Sequence, residues 1–178
     1  MISDEMNFSH VEVAGEGLYP VIHAFDSNVL CKVLLQKYGL HDIQKGKFYP
    51  LTEYLALLKN MEKRMPTVLK RTGKFIMTEA IFPPGVNSLE QAFELSDQAY
   101  YMNHRGLKGD EIGHYKFKKI SDSSFRMTAS SLYPCVFDQG AFIGIGKKFN
   151  RVILVEHSND NCRSKGDSHC DYIITVKK

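Results

Sequence analysis

Around Asn103-His104-Arg105-Gly106 the spacing of apolar residues changes, and that change limits what the chain can fold into. Before it, apolar side chains recur at three and four positions, the period that lines one face of a helix. After it, Ile112, His114, Lys116 and Lys118 alternate with Gly113, Tyr115, Phe117 and Lys119, the period of a strand. The chain is therefore expected to pass from a helical layer into a sheet.

Local signals divide the helical part. Ser27 caps a helix carrying Leu30, Val33, Leu34 and Tyr38, which Gly39 stops. Leu40 to Pro50 reads as a loop, and Leu51 to Met65 as a second helix with Leu51, Leu55, Leu58 and Met61 on one stripe. Pro66 suits the first turn of a third helix, which Pro83-Pro84 ends. Ser88 with Gln91 forms the capping-box pattern of a fourth, running to Met102. Upstream, Val11 and Val13 suit a short strand that Gly15 and Gly17 break. Downstream, Phe125, Met127 and Ala129 form a returning strand after the turn at Ser121 to Ser124. Residues Phe137 to Phe149 predict a short helix, with Gly140, Gly144 and Gly146 at positions of close approach. Val152 to Val155 and Tyr172 to Val176 close the chain as two β-like runs.

A chain of 178 residues suits one domain spanning 1–178. Its net charge of +3 is small and spread along the sequence, which argues against nucleic acid. No run of eighteen apolar residues suggests a membrane span, and Met1 to Gly17 lacks the apolar core of a signal peptide, so the cytoplasm is expected. Phosphate-cradling glycine loops, H-E-x-x-H and G-x-S-x-G are all absent. Of the seven histidines, His104 stands out with Arg105 because the two lie between the helical layer and the sheet. His114 points to the sheet's inner face or to water.

The cysteines carry the strongest chemical signal. Cys162 and Cys170 flank a Lys165-Gly166-Asp167 turn between the two final β-like runs, so their thiols can meet at the base of a hairpin. Cys135 supplies a third thiol, and Glu156, His157 or Asp160 a fourth donor. The spacing leaves three outcomes open: a zinc site, ordinary buried thiols, or a disulfide. A reducing compartment favours the first two.

The segments Asn103-His104-Arg105-Gly106, Tyr133-Pro134-Cys135-Val136-Phe137-Asp138-Gln139-Gly140, Val155-Glu156-His157 and Cys162 to Tyr172 together resemble the 4-vinyl-reductase-type ligand-binding domain. That domain is the sensor module of aromatic-responsive bacterial transcription activators and is related to haem-nitric-oxide-binding domains and to TRAPP Golgi-transport subunits. The resemblance implies an α/β (α+β) fold in which N-terminal helices pack on a small antiparallel sheet and enclose an apolar pocket. It also implies a structural zinc held by three cysteines and a glutamate, matched in order by Cys135, Cys162 and Cys170. The family's glutamate falls three residues before the second cysteine, where this chain has Asn159; Glu156, three further back, becomes the expected fourth ligand, with Asp160 and His157 as substitutes.

The function expected from the resemblance is a stand-alone sensor or carrier of a hydrophobic or aromatic small molecule, with a signalling partner. Phe75, Phe93, Tyr100, Tyr101, Phe117 and Phe142 would line its pocket, and His104, Arg105 and Tyr115 would orient the guest. A homodimer is expected. The alternatives are a haem-based gas sensor and an accessory enzyme of tetrapyrrole metabolism. Catalysis is not expected, because no nucleophile has an adjacent base. Haem is not expected either: the haem-binding relatives use a histidine on a helix and a Tyr-x-Ser-x-Arg clamp, whereas the four helical runs hold no histidine and the clamp sequence is missing.

Overall fold

A computed structural model describes residues 8–158 and 160–177. The helical part comprises α1 (Gly15–Ala24), α2 (Asn28–Lys37), α3 (Leu51–Arg64), α4 (Pro66–Glu79), α5 (Leu89–Glu94) and α6 (Ser96–Met102), with α7 (Cys135–Lys148) embedded in the later sheet region. Short strands β1 (Glu12–Ala14), β2 (Phe48–Pro50) and β3 (His104–Arg105) pair antiparallel in the order β2-β1-β3. A second sheet joins β4 (Tyr115–Ser121), β5 (Ser124–Ala129), β6 (Ile153–His157) and β7 (Cys170–Val176) in the order β4-β5-β7-β6, every pair antiparallel.

The capping residues act as their sequence positions require. Ser27 accepts from the Leu30 backbone N–H, and Ser88 and Gln91 form both halves of a capping box at α5. The fourth expected helix is divided at Leu95 into α5 and α6. The strand at Val13 ends before Gly15 as expected, but an unexpected helix, α1, begins there. Gly15 is buried there, and a Cβ on it would lie 2.1 Å from the Gln44 carbonyl oxygen, so the glycine admits a neighbouring loop to the helix start.

Two clusters of apolar side chains form the interior. One gathers Val13, Leu18, Leu57, Leu58, Met61 and Leu69 beneath α1, α3 and α4; the other gathers Phe93, Phe142 and Ile145 against the inner face of the second sheet. That sheet face carries Phe125, Met127 and Ala129 of β5 with Tyr172 and Ile174 of β7, alternating with the exposed Arg126 and half-buried Ile173. Tyr115 packs against both clusters.

The two halves are fastened where α4 crosses α7. A Cβ on Gly73 would meet the Phe137 carbonyl at 2.1 Å, and one on Gly140 would meet the Lys70 carbonyl at 2.0 Å. Each glycine therefore lets the opposing backbone approach as closely as helices can. Gly140→Ala is expected to cost about 2–3 kcal/mol, the range for overpacking a tight interior, measured by urea unfolding. Wild-type stability in that variant would contradict the seam.

Candidate functional site

Three cysteines distant in sequence meet at the base of the β6–β7 hairpin. Cys135 opens α7, Cys162 precedes a short 3-10 turn at Arg163–Lys165, and Cys170 opens β7. The Cys135 Sγ lies 3.1 Å from that of Cys170 and 3.7 Å from that of Cys162. A disulfide requires about 2.05 Å. These gaps instead approach the edge of a tetrahedron built on about 2.3 Å metal–sulfur bonds, which is about 3.8 Å. All four cysteines of the chain are free thiols.

A histidine completes the group. The ligand atoms of Cys135, His157, Cys162 and Cys170 all lie within 4.8 Å of one another. His157 Nε2 is buried and has no hydrogen-bond partner, an unmet need that a cation would satisfy. Glu156, the expected fourth donor, is exposed, because successive residues of β6 point to opposite faces of the sheet. Its neighbour His157 faces inward against the Tyr172 ring, 4.9 Å between centroids. Asp160 is exposed and hydrogen-bonded to Ser158, and Asn159 lies outside the described residues. The hydrogen bond from Cys135, with further support from the Arg163 backbone N–H, holds the Cys170 thiol well below its ordinary range. The same bond, with burial, pushes Cys135 up.

Arg163 ties this cluster to the interior. Its backbone N–H and Nε donate to Cys170 Sγ at 3.3 and 3.4 Å, and its guanidinium donates to Ser131 Oγ at 2.8 Å and to the Asp138 carboxylate. Asp138 is 0% exposed and also accepts from the Tyr115 hydroxyl at 2.6 Å. Burial pushes its carboxyl up to about 6 against the opposing pull of Arg163 and Tyr115. Near neutral pH Asp138 is therefore mostly ionised, its charge balanced by the guanidinium.

Behind Tyr115 lies a buried histidine. His104, 6% exposed, stands two residues past the end of α6, and its Nδ1 lies 2.7 Å from the Tyr100 carbonyl oxygen. A carbonyl only accepts, so Nδ1 carries the proton and the Nε2 lone pair accepts from the Tyr133 hydroxyl at 2.9 Å. Burial lowers the His104 pKa, although the bond to the Tyr100 carbonyl opposes the shift. Tyr100 and Tyr133 flank the ring at centroid distances of 4.7 and 5.9 Å, and Tyr54, Tyr115 and Phe137 pack behind them. These rings fill the interior that the family resemblance makes a pocket.

The other expected ligand-lining residues scatter. Phe93, Phe117 and Phe142 pack together in the second cluster, with Phe93 to Phe117 at 6.5 Å and Phe93 to Phe142 at 6.0 Å. Tyr101 stacks on His114 at 5.2 Å, and Phe75 neighbours His23 at 6.3 Å. Arg105 is exposed, paired with Glu12 at 2.6 Å and laid over the Phe48 ring. Only Tyr100, His104 and Tyr115 of the expected set share the buried polar centre. Tyr133, Asp138 and Arg163 belong to it without having been expected; the segment carrying Tyr133 and Asp138 is visible in sequence, but their inward direction is not.

His114 is the opposite case to His104. It is paired with Asp97 at 3.0 Å, and that hydrogen bond raises its pKa. A histidine-ring NMR titration is expected to show His114 protonated at pH 6 while His104 keeps its neutral Nδ1–H form. Because the unfolded His104 titrates near 6.5, its burial favours folding above that value and loses that benefit as pH falls through it. Parallel titration of the two rings would contradict these settings.

No family model and no curated protein matches the sequence. Solved structures do match in fold. An H-NOX protein from S. oneidensis in the Fe(II)NO ligation state aligns at TM-score 0.67 and 17% identity, covering 93% of this chain and 99% of that one. An H-NOX domain from Shewanella oneidensis in the Fe(II)CO state aligns at 0.65 and 17%, covering 93% and 99%. A point variant of Tt H-NOX aligns at 0.65 and 14%, covering 92% and 93%. These neighbours overturn the expectation that sets haem aside. The four expected helical runs hold no histidine, but the unexpected α1 carries His23, while His104 lies in β3. Among the described residues no helix is long and apolar enough to cross a membrane. The chain has the mixed helical and antiparallel-sheet fold of the H-NOX domains.

Proposed function

We propose that the chain is a small-molecule sensor of the haem-nitric-oxide-binding kind rather than an enzyme, with His104 at the sensing point and the Cys135, His157, Cys162 and Cys170 cluster as a structural clamp. The observation that carries this reading is the setting of His104. A buried neutral imidazole whose Nδ1–H is fixed by a backbone carbonyl presents its Nε2 lone pair in one direction, and a nitrogen held in that way could hold a metal in place of the Tyr133 hydroxyl it now accepts from.

An imidazole donor at His104 suits the haem that the H-NOX neighbours are described with, but the rings of Tyr54, Tyr100, Tyr133 and Phe137 fill the space around it and would have to part to admit that group. When bound there, haem would supply an iron able to take a diatomic gas. The Tyr133 hydroxyl holds the Nε2 position and would give it up. The Tyr100 carbonyl keeps the proton on Nδ1, and Tyr54, Tyr100, Tyr115 and Phe137 exclude water from the ring. The full Tyr-x-Ser-x-Arg clamp is missing: Tyr101-Met102-Asn103-His104-Arg105 keeps the tyrosine and the arginine with Asn103 in place of the serine, and that arginine is exposed and paired with Glu12. That departure favours a second reading, in which an uncharged aromatic molecule occupies the same place and accepts or donates at Tyr133 and His104.

For the clamp, three thiols and an imidazole form a donor set suited to a divalent ion of the Zn²⁺ type. Such an ion would hold the hairpin against α7 and contribute directly to folding stability. Elemental analysis of purified protein is expected to find about one such ion per chain, lost in Cys170→Ser together with a lowered Tm.

Titration with hemin is expected to give a Soret band in the wild type that His104→Ala abolishes. No band, together with thermal stabilisation by a phenol that Tyr133→Phe removes, would select the second reading. If neither hemin nor aromatic compounds bind, the sensor proposal fails.

A further inference from the structure

We propose that the groove between α4 and α7 docks an acidic amphipathic helix of a partner protein. The groove exists because of the glycine seam: the two backbones meet at Gly73 and Gly140, so longer side chains on either side stand above the contact line. A cleft of about 540 Å³ runs along it from Pro66, over Val136, Gly140 and Ile143, between Lys70, Arg71 and Lys74. It continues past Lys74 and Ile143 into a cleft of about 310 Å³ bounded by Lys147 and Arg151.

The chemistry of the lining selects the occupant. Five lining residues are Lys or Arg, and none is Asp or Glu, so the lips are cationic although the chain as a whole carries only +3. The floor is apolar, and Val136, Gly140, Ile143 and Lys147 recur at four and three along one stripe of α7. From Val136 to Lys147 that stripe extends about 16 Å, the length of three helical turns. Arg71 adds to this charge: its side chain is 37% exposed and its guanidinium reaches Asp26, itself on the surface, at 3.0 Å, so a carboxylate laid along the groove can pair with the same guanidinium. A helix with an apolar ridge and acidic flanks satisfies floor and lips together.

Other anionic surfaces match less well. A bilayer is flat, whereas Val136 and Ile143 are recessed and only half-exposed between the lysines. Nucleic acid offers nothing to an apolar floor, and no aromatic side chain lines the groove on which a base could stack. The inference stands apart from what His104 binds, and either can fail without the other.

The test uses the full chain and a stapled helix of about fourteen residues, with leucines at one-turn spacing and glutamates on both flanks. Fluorescence anisotropy is expected to show binding that weakens about tenfold in Lys70→Glu/Lys74→Glu. It is expected to stay unchanged in Lys116→Glu/Lys118→Glu, the same charge change on exposed β4. Amide shifts on wild-type protein are expected at Val136, Gly140 and Ile143. A peptide with its leucines replaced by serine tests the floor without altering the protein, and should bind about tenfold more weakly. Equal loss in both charge reversals, or equal binding of the serine peptide, would reduce the effect to diffuse charge and overturn the proposal. So would absence of peptide binding, whether or not phosphatidylserine vesicles or duplex DNA bind in its place.

Discussion

The buried ion pair between Asp138 and Arg163 fastens the turn between β6 and β7 to α7, beside the contacts that Cys135 makes with Cys162 and Cys170. Asp138 belongs to α7 and Arg163 to the turn between β6 and β7; the two share Ser131 as a further partner, and the Tyr115 hydroxyl donates to Asp138. Arg163 also donates twice to Cys170, so the thiol cluster and the aromatic interior meet at one guanidinium. Such a pair adds little net stability over apolar substitutes, but leaving one member alone costs about 3–5 kcal/mol. Its effect is to fix one arrangement: the hairpin seats with Arg163 inward or leaves a charge stranded.

From that pair a chain of contacts leads to His104. The Tyr115 ring lies 5.2 Å from that of Tyr100, whose backbone carbonyl holds the His104 proton. Tyr133, only two residues before Cys135, closes on His104 from the other side. Tyr133, Cys135 and Asp138 thus lie within six residues at and just before the start of α7, so the helix that anchors the thiol cluster begins beside the residue that bonds Nε2 of His104. The far face of the same helix forms one wall of the basic groove, and the glycine seam leaves α7 little room to move independently of α4.

Much of this was legible in the chain. The change of period near His104 correctly separates helices from the larger sheet, and the capping residues Ser27 and Ser88 stand where the helices begin. The meeting of Cys162 and Cys170 follows from their place around a hairpin, and Cys135 joins them from the start of α7, as the family resemblance implies. Other features depend on contacts distant in sequence. Gly15 reads as a breaker until the Gln44 carbonyl is seen against it. Glu156 and His157 differ only in strand phase, and a shift of one residue exchanges inside for outside. The aromatic residues Phe75, Phe93 and Tyr101 show their apolarity in sequence but not which of several clusters receives them. Neither does sequence reveal that Arg105 lies outside, because its partners Glu12 and Phe48 come from the opposite end of the chain.

The coupling of the hairpin to the interior is most directly tested by the affinity of the Cys135, His157, Cys162 and Cys170 cluster for Co²⁺ in Asp138→Asn, followed by thiolate charge-transfer absorption. The substitution leaves every proposed ligand in place and removes only the charge opposite Arg163. The account predicts affinity about ten- to a hundredfold below wild type, the range for losing a supporting contact behind a metal site. Unchanged affinity in a folded variant would show that the cluster assembles without the buried pair and would contradict the account.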